Sequence, residues 1–212
     1  MAVIHQTTLV PSKLELLTDW LPKQPWYRSR PGGPDLERVG GFRLDDPADA
    51  VGVEFMAVAD GPTTYLVPMT YRGAPLDGAD AALLGTAEHG VLGQRWIYDG
   101  GHDPVLVAQL VALIQGVAEP QAQSTSNVPD PTVATRPATE GPLTVTGFET
   151  VDAGSGTEVR VATEGGALTV RLNRVLSDAP ADESVPGVLA NRRRPDGTPV
   201  RATYATATFR PA

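Results

Sequence analysis

The apolar positions along the chain change period several times, and each change marks an element. In residues 12–21 (SKLELLTDWL), Leu14, Leu17, Trp20 and Leu21 recur at helical spacing, and Pro22 and Pro25 stop the run. Gly32, Gly33 and Pro34 mark a turn. Residues 40–45, 51–59 (VGVEFMAVA) and 63–72 (TTYLVPMTYR) read as strands, the last two joined through Asp60-Gly61-Pro62 as a hairpin. Pro68 has no amide hydrogen to donate, which predicts a sheet edge or a bulge there. Asp80 to Gly90 predicts a short helix, capped by Asp80 and ended by Gly90. Gln94 to Asp99 (QRWIYD) alternates as a strand and closes on Gly100-Gly101. The clearest helix follows, with Asp103 as N-cap, Pro104 at the first helical position and Gly116 just past the end. Its body, VLVAQLVALIQ, is apolar nearly all round, so it is expected to be buried.

From Val117 to Pro142 the chain is polar and proline-rich without a period, which predicts a linker or a long exposed loop. Beyond it, residues 143–151, 157–163 and 167–176 read as strands, with Gly154-Ser155-Gly156 as a hairpin tip. Asp196-Gly197 predicts a two-residue turn into a last strand at 199–210. The expected fold class is α+β: an antiparallel sheet with two or three helices, plus a β-rich C-terminal portion. The expected division is 1–116, a linker or loop at 117–142, and 143–212, the last being either a domain of its own or a completion of the first sheet.

Charge narrows the function. The net charge of −8 argues against a nucleic-acid or anionic-membrane surface. With no cysteine there is no disulfide and no thiolate metal site. The start, MAVIHQTTLVPSKLE, lacks the charged-then-apolar layout of a secretory signal. The longest apolar run, Val105 to Ile114 broken only by Gln109, is far shorter than the roughly 20 residues a membrane span needs. The cytoplasm is the expected compartment. Arginine almost replaces lysine, of which there are only Lys13 and Lys23, and Ala, Gly, Val and Pro abound, as in proteins from GC-rich genomes such as those of actinobacteria.

Residues 83–105, LLGTAEHGVLGQRWIYDGGHDPV, with TTYLVPMTYRGAPL before and LVAQLVALIQG after, resemble the N-terminal cap region of bacterial maltokinases and of their cap-only relatives, some of which carry glucan-branching labels. The likeness covers roughly the first 116 residues. It implies a sheet wrapped on a helix in a cystatin-like arrangement. It also implies a link to maltose, trehalose and α-glucan metabolism, with a sugar kinase or another glucan enzyme as protein partner. The Trp20 segment resembles the opening helix of such caps, which favours packing over a partner-facing ledge for Trp20 and Trp26.

A maltokinase also needs a catalytic loop of the form His-x-Asp-x₄-Asn and a second metal-binding Asp, to take the hydroxyl proton and hold magnesium against the phosphates. Two residues after the three histidines stand Thr7, Val91 and Pro104, so none fits. Neither lysine follows a glycine, so there is no Walker loop. No Gly-x-Ser-x-Gly elbow exists for a serine nucleophile. Pairs of acids for glycosidase chemistry could be drawn from Glu88, Asp99 and Asp103, but any acidic chain offers such pairs. A non-catalytic protein without cofactor is expected, and a branching enzyme would require a large barrel domain that is not in this chain.

The alternative expectation is a small-molecule binding module, for a sugar or a nucleotide, centred on residues 88–103. Trp96 and Tyr98 could stack on a sugar ring, while Arg95, Asp99 and His102 bond its hydroxyls. The alternative is that Trp96 and Tyr98 share one strand face and fill the core. Glu88, His89, His102 and Asp103 complete the set, because His89 and His102 with nearby acids also resemble a weak metal pattern. Against metal, His89 would sit in the last turn of the predicted helix, where a partly positive ring is favoured, and Asp103 is sufficient as a cap. Arg192-Arg193-Arg194 could grip a phosphate or an acidic partner, or simply approach the Pro-Asp-Gly turn in solvent.

Overall fold

The computed structural model describes residues 9–123, 125, 128–154, 156–194 and 196–212. Ser155 of the expected hairpin tip, Pro195 of the Pro-Asp-Gly turn, three positions of the 117–142 segment and the first eight residues lie outside the described residues. In chain order the elements are β1 (Leu9–Val10), α1 (Lys13–Trp20), β2 (Leu36–Leu44), β3 (Gly52–Asp60), β4 (Thr63–Arg72), β5 (Leu83–His89), β6 (Gly93–Asp99) and α2 (Pro104–Ile114). There follow β7 (Gln121–Ala122), β8 (Ala134–Arg136), β9 (Val145–Ala153), β10 (Gly156–Thr163), β11 (Gly166–Leu172), β12 (Val175–Leu176), β13 (Gly187–Arg193) and β14 (Pro199–Pro211). Short 3-10 turns occupy Leu21–Lys23, Asp80–Ala82 and Gly100–His102. The fold is mostly antiparallel sheet carrying two short helices, more β-rich than the pattern predicted.

Local chemistry sets both helices. The Ser12 hydroxyl accepts the Glu15 amide while Glu15 accepts the Ser12 amide, a reciprocal cap that starts α1. Asp103 accepts the Val105 amide at 2.8 Å and starts α2, with Pro104 next. No helix among the described residues is long and apolar enough to cross a membrane.

One sheet runs β1-β5-β6-β4-β3-β2-β13-β14-β11-β10-β9, with β12 returning to pair β4, β7 pairing β2 and β8 pairing β13. The strands nearest α1 and α2 are buried on both faces, which explains why 51–59 reads as a continuous apolar run. Along β3, Val53, Phe55 and Ala57 face the cluster around α2, whereas Met56 and Val58 face the cluster around α1. The α2 cluster is the main core. It joins Phe42, Phe55 and Leu66 to Leu106, Leu110, Leu113 and Ile114, and to Val159, Leu168, Val170 and Tyr204 from the C-terminal strands. The halves of the chain therefore share one core, and the sheet curls round α2. In the second cluster Trp20 and Trp26 are buried with ring centroids 5.7 Å apart, so both pack rather than face solvent.

The predicted helix at 80–90 is instead the 3-10 turn at Asp80–Ala82 followed by strand β5. Leu84 and Ala87, three apart, fit the helical period, and a bulge between Leu83 and Gly85 lets them share one buried side of a strand instead; β5 gains β6 as a hairpin partner, and Gly85 would weaken a helix by about 1 kcal/mol. Gly90 thus belongs to a hairpin turn, and His89 stands at a strand end, where the helix-dipole account of it does not apply. Pro68 is not on an outer edge. It pairs with Phe55 of β3, and on its other flank β6 has ended at Met69 while β12 begins only at Tyr65. The missing amide falls in that gap. The run 167–176 is broken at Asn173 and Arg174, and β13, unforeseen, inserts beside β2 through Arg192 and Gly40. Arg192 is buried and bonds Asp178, so of the three arginines only Arg193 is fully solvent-exposed.

Candidate functional site

The eight candidate residues do not converge. The structure sorts them into three places, according to which strand face or turn carries each.

Glu88, His89 and Arg95 belong to the β5–β6 hairpin. The His89 Nδ1 accepts the amides of Val91 and Leu92 at 3.3 and 3.1 Å, and Arg95 donates to the Leu92 carbonyl at 2.6 Å. Glu88 is exposed and pairs in register with Gln94. These side chains hold a tight turn together, while Val91 and Leu92 project into solvent.

Trp96 and Tyr98 share one face of β6 and pack under the 76–83 segment with Leu76, Ala79, Ala82 and Leu83. Tyr98 is buried, and its hydroxyl accepts the Leu76 amide at 2.9 Å. Trp96 is half-buried against it.

Asp99, His102 and Asp103 flank the 3-10 turn that leads into α2. Asp103 has no solvent exposure. It accepts Thr70 Oγ1 at 2.7 Å, Arg72 Nε at 2.6 Å and Arg72 Nη2 at 2.7 Å, besides its own cap bond. This two-pronged Arg pair locks the start of α2 to β4. Asp99 accepts the Gly101 amide at 3.1 Å and Arg174 Nη2 at 2.5 Å. Arg174 is fully buried, donates from Nε to Thr157 at 2.7 Å and lies 5.2 Å from the Trp26 ring centroid. It occupies the gap between β6 and β12 where Pro68 leaves β4 unpaired.

At the outer side of this network His102 Nε2 meets Asp152 Oδ2 at 3.2 Å, and Thr157 bonds the other Asp152 oxygen. The hydrogen bond to Asp152 raises the His102 pKa above its ordinary 6.5, outweighing burial. Burial pushes Asp152 up, but bonds from His102 and Thr157 and the Arg174 charge reverse that and lower it below 3.8. Both side chains are a little over a quarter exposed.

Asp99, His102 and Asp152 bring donor atoms within 4.8 Å of one another, a grouping able to hold a metal. It differs from the pattern read in the sequence, which drew on His89 and Asp103. Here the guanidinium of Arg174 already supplies a positive charge to Asp99, and Thr157 and His102 supply hydrogens to Asp152. The cluster is held together as an ion-pair network, with only the buried Nη1 of Arg174 left without a hydrogen-bond partner among its charged atoms. Spacing could not reveal Arg174, Thr157 and Asp152. The one local signal was Arg174, a charge set between the apolar residues Leu172 and Val175. An open hollow of about 320 Å³ lies elsewhere, between the end of α2 and residues 137–142, lined by Gln115, Val117, Pro137 and Pro142. None of the candidate residues lines it.

Residues 20–103 match the family model described as the maltokinase N-terminal cap domain, in agreement with the resemblance carried by 83–105. The matched segment covers less than half the chain and ends at Asp103, the cap of α2. A search of curated proteins finds no match.

Proposed function

Starting from residues 20–103 as a maltokinase-type cap, we propose that the chain is a non-catalytic accessory protein. It binds a protein partner, a sugar kinase or another enzyme acting on maltose, trehalose or α-glucan. The observation that carries this reading is the fate of the chemically able side chains. Asp99 and Asp103 are buried in pairs with Arg174 and Arg72, and Tyr98 is spent on the Leu76 amide. A general acid or base must reach its substrate, and these groups reach only the protein. Function is argued from the site rather than from the family alone.

Three measurements test it. Pure protein given ATP, magnesium and maltose is expected to form no maltose phosphate. Turnover that survives purification and vanishes in Asp99→Asn or Asp103→Asn would overturn the non-catalytic assignment. A purified maltose-phosphorylating kinase, titrated with the chain in a biolayer assay, is expected to bind saturably, and absence of binding across kinase and glucan enzymes would remove the proposed partner class. A thermal-shift panel of maltose, maltose 1-phosphate, trehalose, short maltodextrins and Mg-ATP separates the alternative of a small-molecule module at 88–103. A saturable rise with one sugar would favour that alternative, because a ligand of the folded state must stabilise it by mass action.

A further inference from the structure

The strand β9 ends the curled sheet, with β10 as its partner on one side. One face of β9 lies against the turn before α2. Thr150 Oγ1 donates to the Gly101 carbonyl at 2.6 Å, and two residues on Asp152 meets His102. Phe148 and Val145 of the same strand lean half-buried on the main core. We propose that the His102–Asp152 contact is a proton-operated clasp, holding β9 against the turn before α2 when the imidazole is charged and slackening when it is neutral. The inference goes beyond the accessory role and holds whatever partner the protein has.

The charges at the seam explain the direction. Facing His102 are Asp152 from β9, Asp99 from the end of β6 and Arg174 from the link between β11 and β12. Asp103, next in the chain, is committed to Arg72 and Thr70. Glu149 points into solvent beside Arg160. Two carboxylates against one guanidinium leave one negative charge, and an imidazolium cancels it. Loss of that proton leaves the seam negative, with a single neutral hydrogen bond in place of a charge-assisted one. The folded pKa of His102 is raised above 6.5. While Asp152 is ionised, the clasp is therefore fully closed below 6.5 and is lost as pH rises through the folded value. Each unit between the two values is worth about a tenfold change in the opening equilibrium.

The test is amide hydrogen exchange of 145–153 from pH 6 to 9, corrected for intrinsic exchange, with the His102 ring titrated by NMR in the same samples. Protection of β9 is expected to fall several-fold with rising pH, at the midpoint of the His102 ring, while β3 and β4 stay constant. His102→Gln keeps a neutral donor and loses the charge, so its protection is expected to be flat and low throughout. Asp152→Asn, changed at a part-exposed position, is expected to behave alike. His89 pairs with Gly93, at the end of β6 away from Asp99, and so lies outside this seam. Flat protection in the unmodified protein would overturn the clasp. So would a midpoint unlike that of His102, or the same pH dependence in His102→Gln.

Discussion

Replacing Arg174 with methionine keeps much of the apolar stem and deletes the guanidinium. Three contacts go with it: the 2.5 Å pair with Asp99, the 2.7 Å bond to Thr157 and the cation over Trp26. What matters most is what stays behind. Asp99 is 2% exposed and retains only the Gly101 amide as hydrogen-bond donor among the bonds described. Removing one member of a buried ion pair costs about 3–5 kcal/mol, chiefly because the other charge is stranded. Against a total stability of about 5–15 kcal/mol this is a large loss. For a chain of this size it corresponds to a melting temperature lower by about 6–20 °C. Urea unfolding followed by tryptophan fluorescence measures it directly, since Trp26 lies beside the site. Adding Asp99→Asn to Arg174→Met removes the stranded charge, so the double variant is expected to recover a substantial part of the deficit rather than sum the two single losses. A cost below about 1 kcal/mol for Arg174→Met, or additive losses in the double variant, would refute the account of this network as a coupled buried pair.

Leu110→Ala, at the centre of α2, is expected to cost about 2–5 kcal/mol by urea titration, since that side chain is buried in the core the two halves of the chain share. Gly41→Ala is expected to prevent folding or shift β2, because an added Cβ would lie 2.1 Å from the Phe55 carbonyl oxygen at a φ of 132°; a native-like circular dichroism spectrum and melting point would contradict this. Glu54 tests the acid side. Burial raises its pKa, but the Lys13 charge and bonds from Lys13, Tyr71 and Gln123 outweigh burial and lower it below 4.5. Its stabilisation is present above 4.5 and lost as pH falls through the folded value. Glu54→Gln is expected to cost about 1–3 kcal/mol at neutral pH, with the deficit shrinking below pH 4.5; a deficit constant with pH would exclude the charge as its source.

What the sequence announced was local. The caps of α2, the Asp60-Gly61-Pro62 turn and the run 63–72 are written in neighbouring residues, and they stand where they were expected. The 80–90 segment failed because Leu84 and Ala87 stand at helical spacing that a bulge absorbs in β5, and the deciding term, pairing with β6, lies outside the segment. Strand β13 was hidden because GVLANRR does not alternate cleanly, and its arginines drew attention to charge. The site suffered most from distance. Asp103 finds Arg72 across 31 positions and Asp99 finds Arg174 across 75. Ion pairs closed by a sheet gap leave no trace in spacing. The cap role of Asp103 was legible from Pro104, whereas its second role as anchor of α2 to β4 was not.

The return of β12 to β4 carries a consequence for synthesis. Val175 pairs with Tyr65, about 110 residues earlier, and the N-terminal strands share their core with residues beyond 159. A chain leaving the ribosome can lay α2 on Phe42, Phe55 and Leu66 soon after residue 103, but the rest of that core comes only with the strands from Val159 onward. The apolar side chains of that core that pack on the later strands wait in solvent while the C-terminal half is made. At about 5–20 residues per second, that exposure lasts several seconds or more. Long-range pairing of this kind also folds slowly once complete. The newborn chain is thus a natural client for a chaperone, and its soluble yield should respond to translation speed and to temperature more steeply than the stability of the finished fold would suggest.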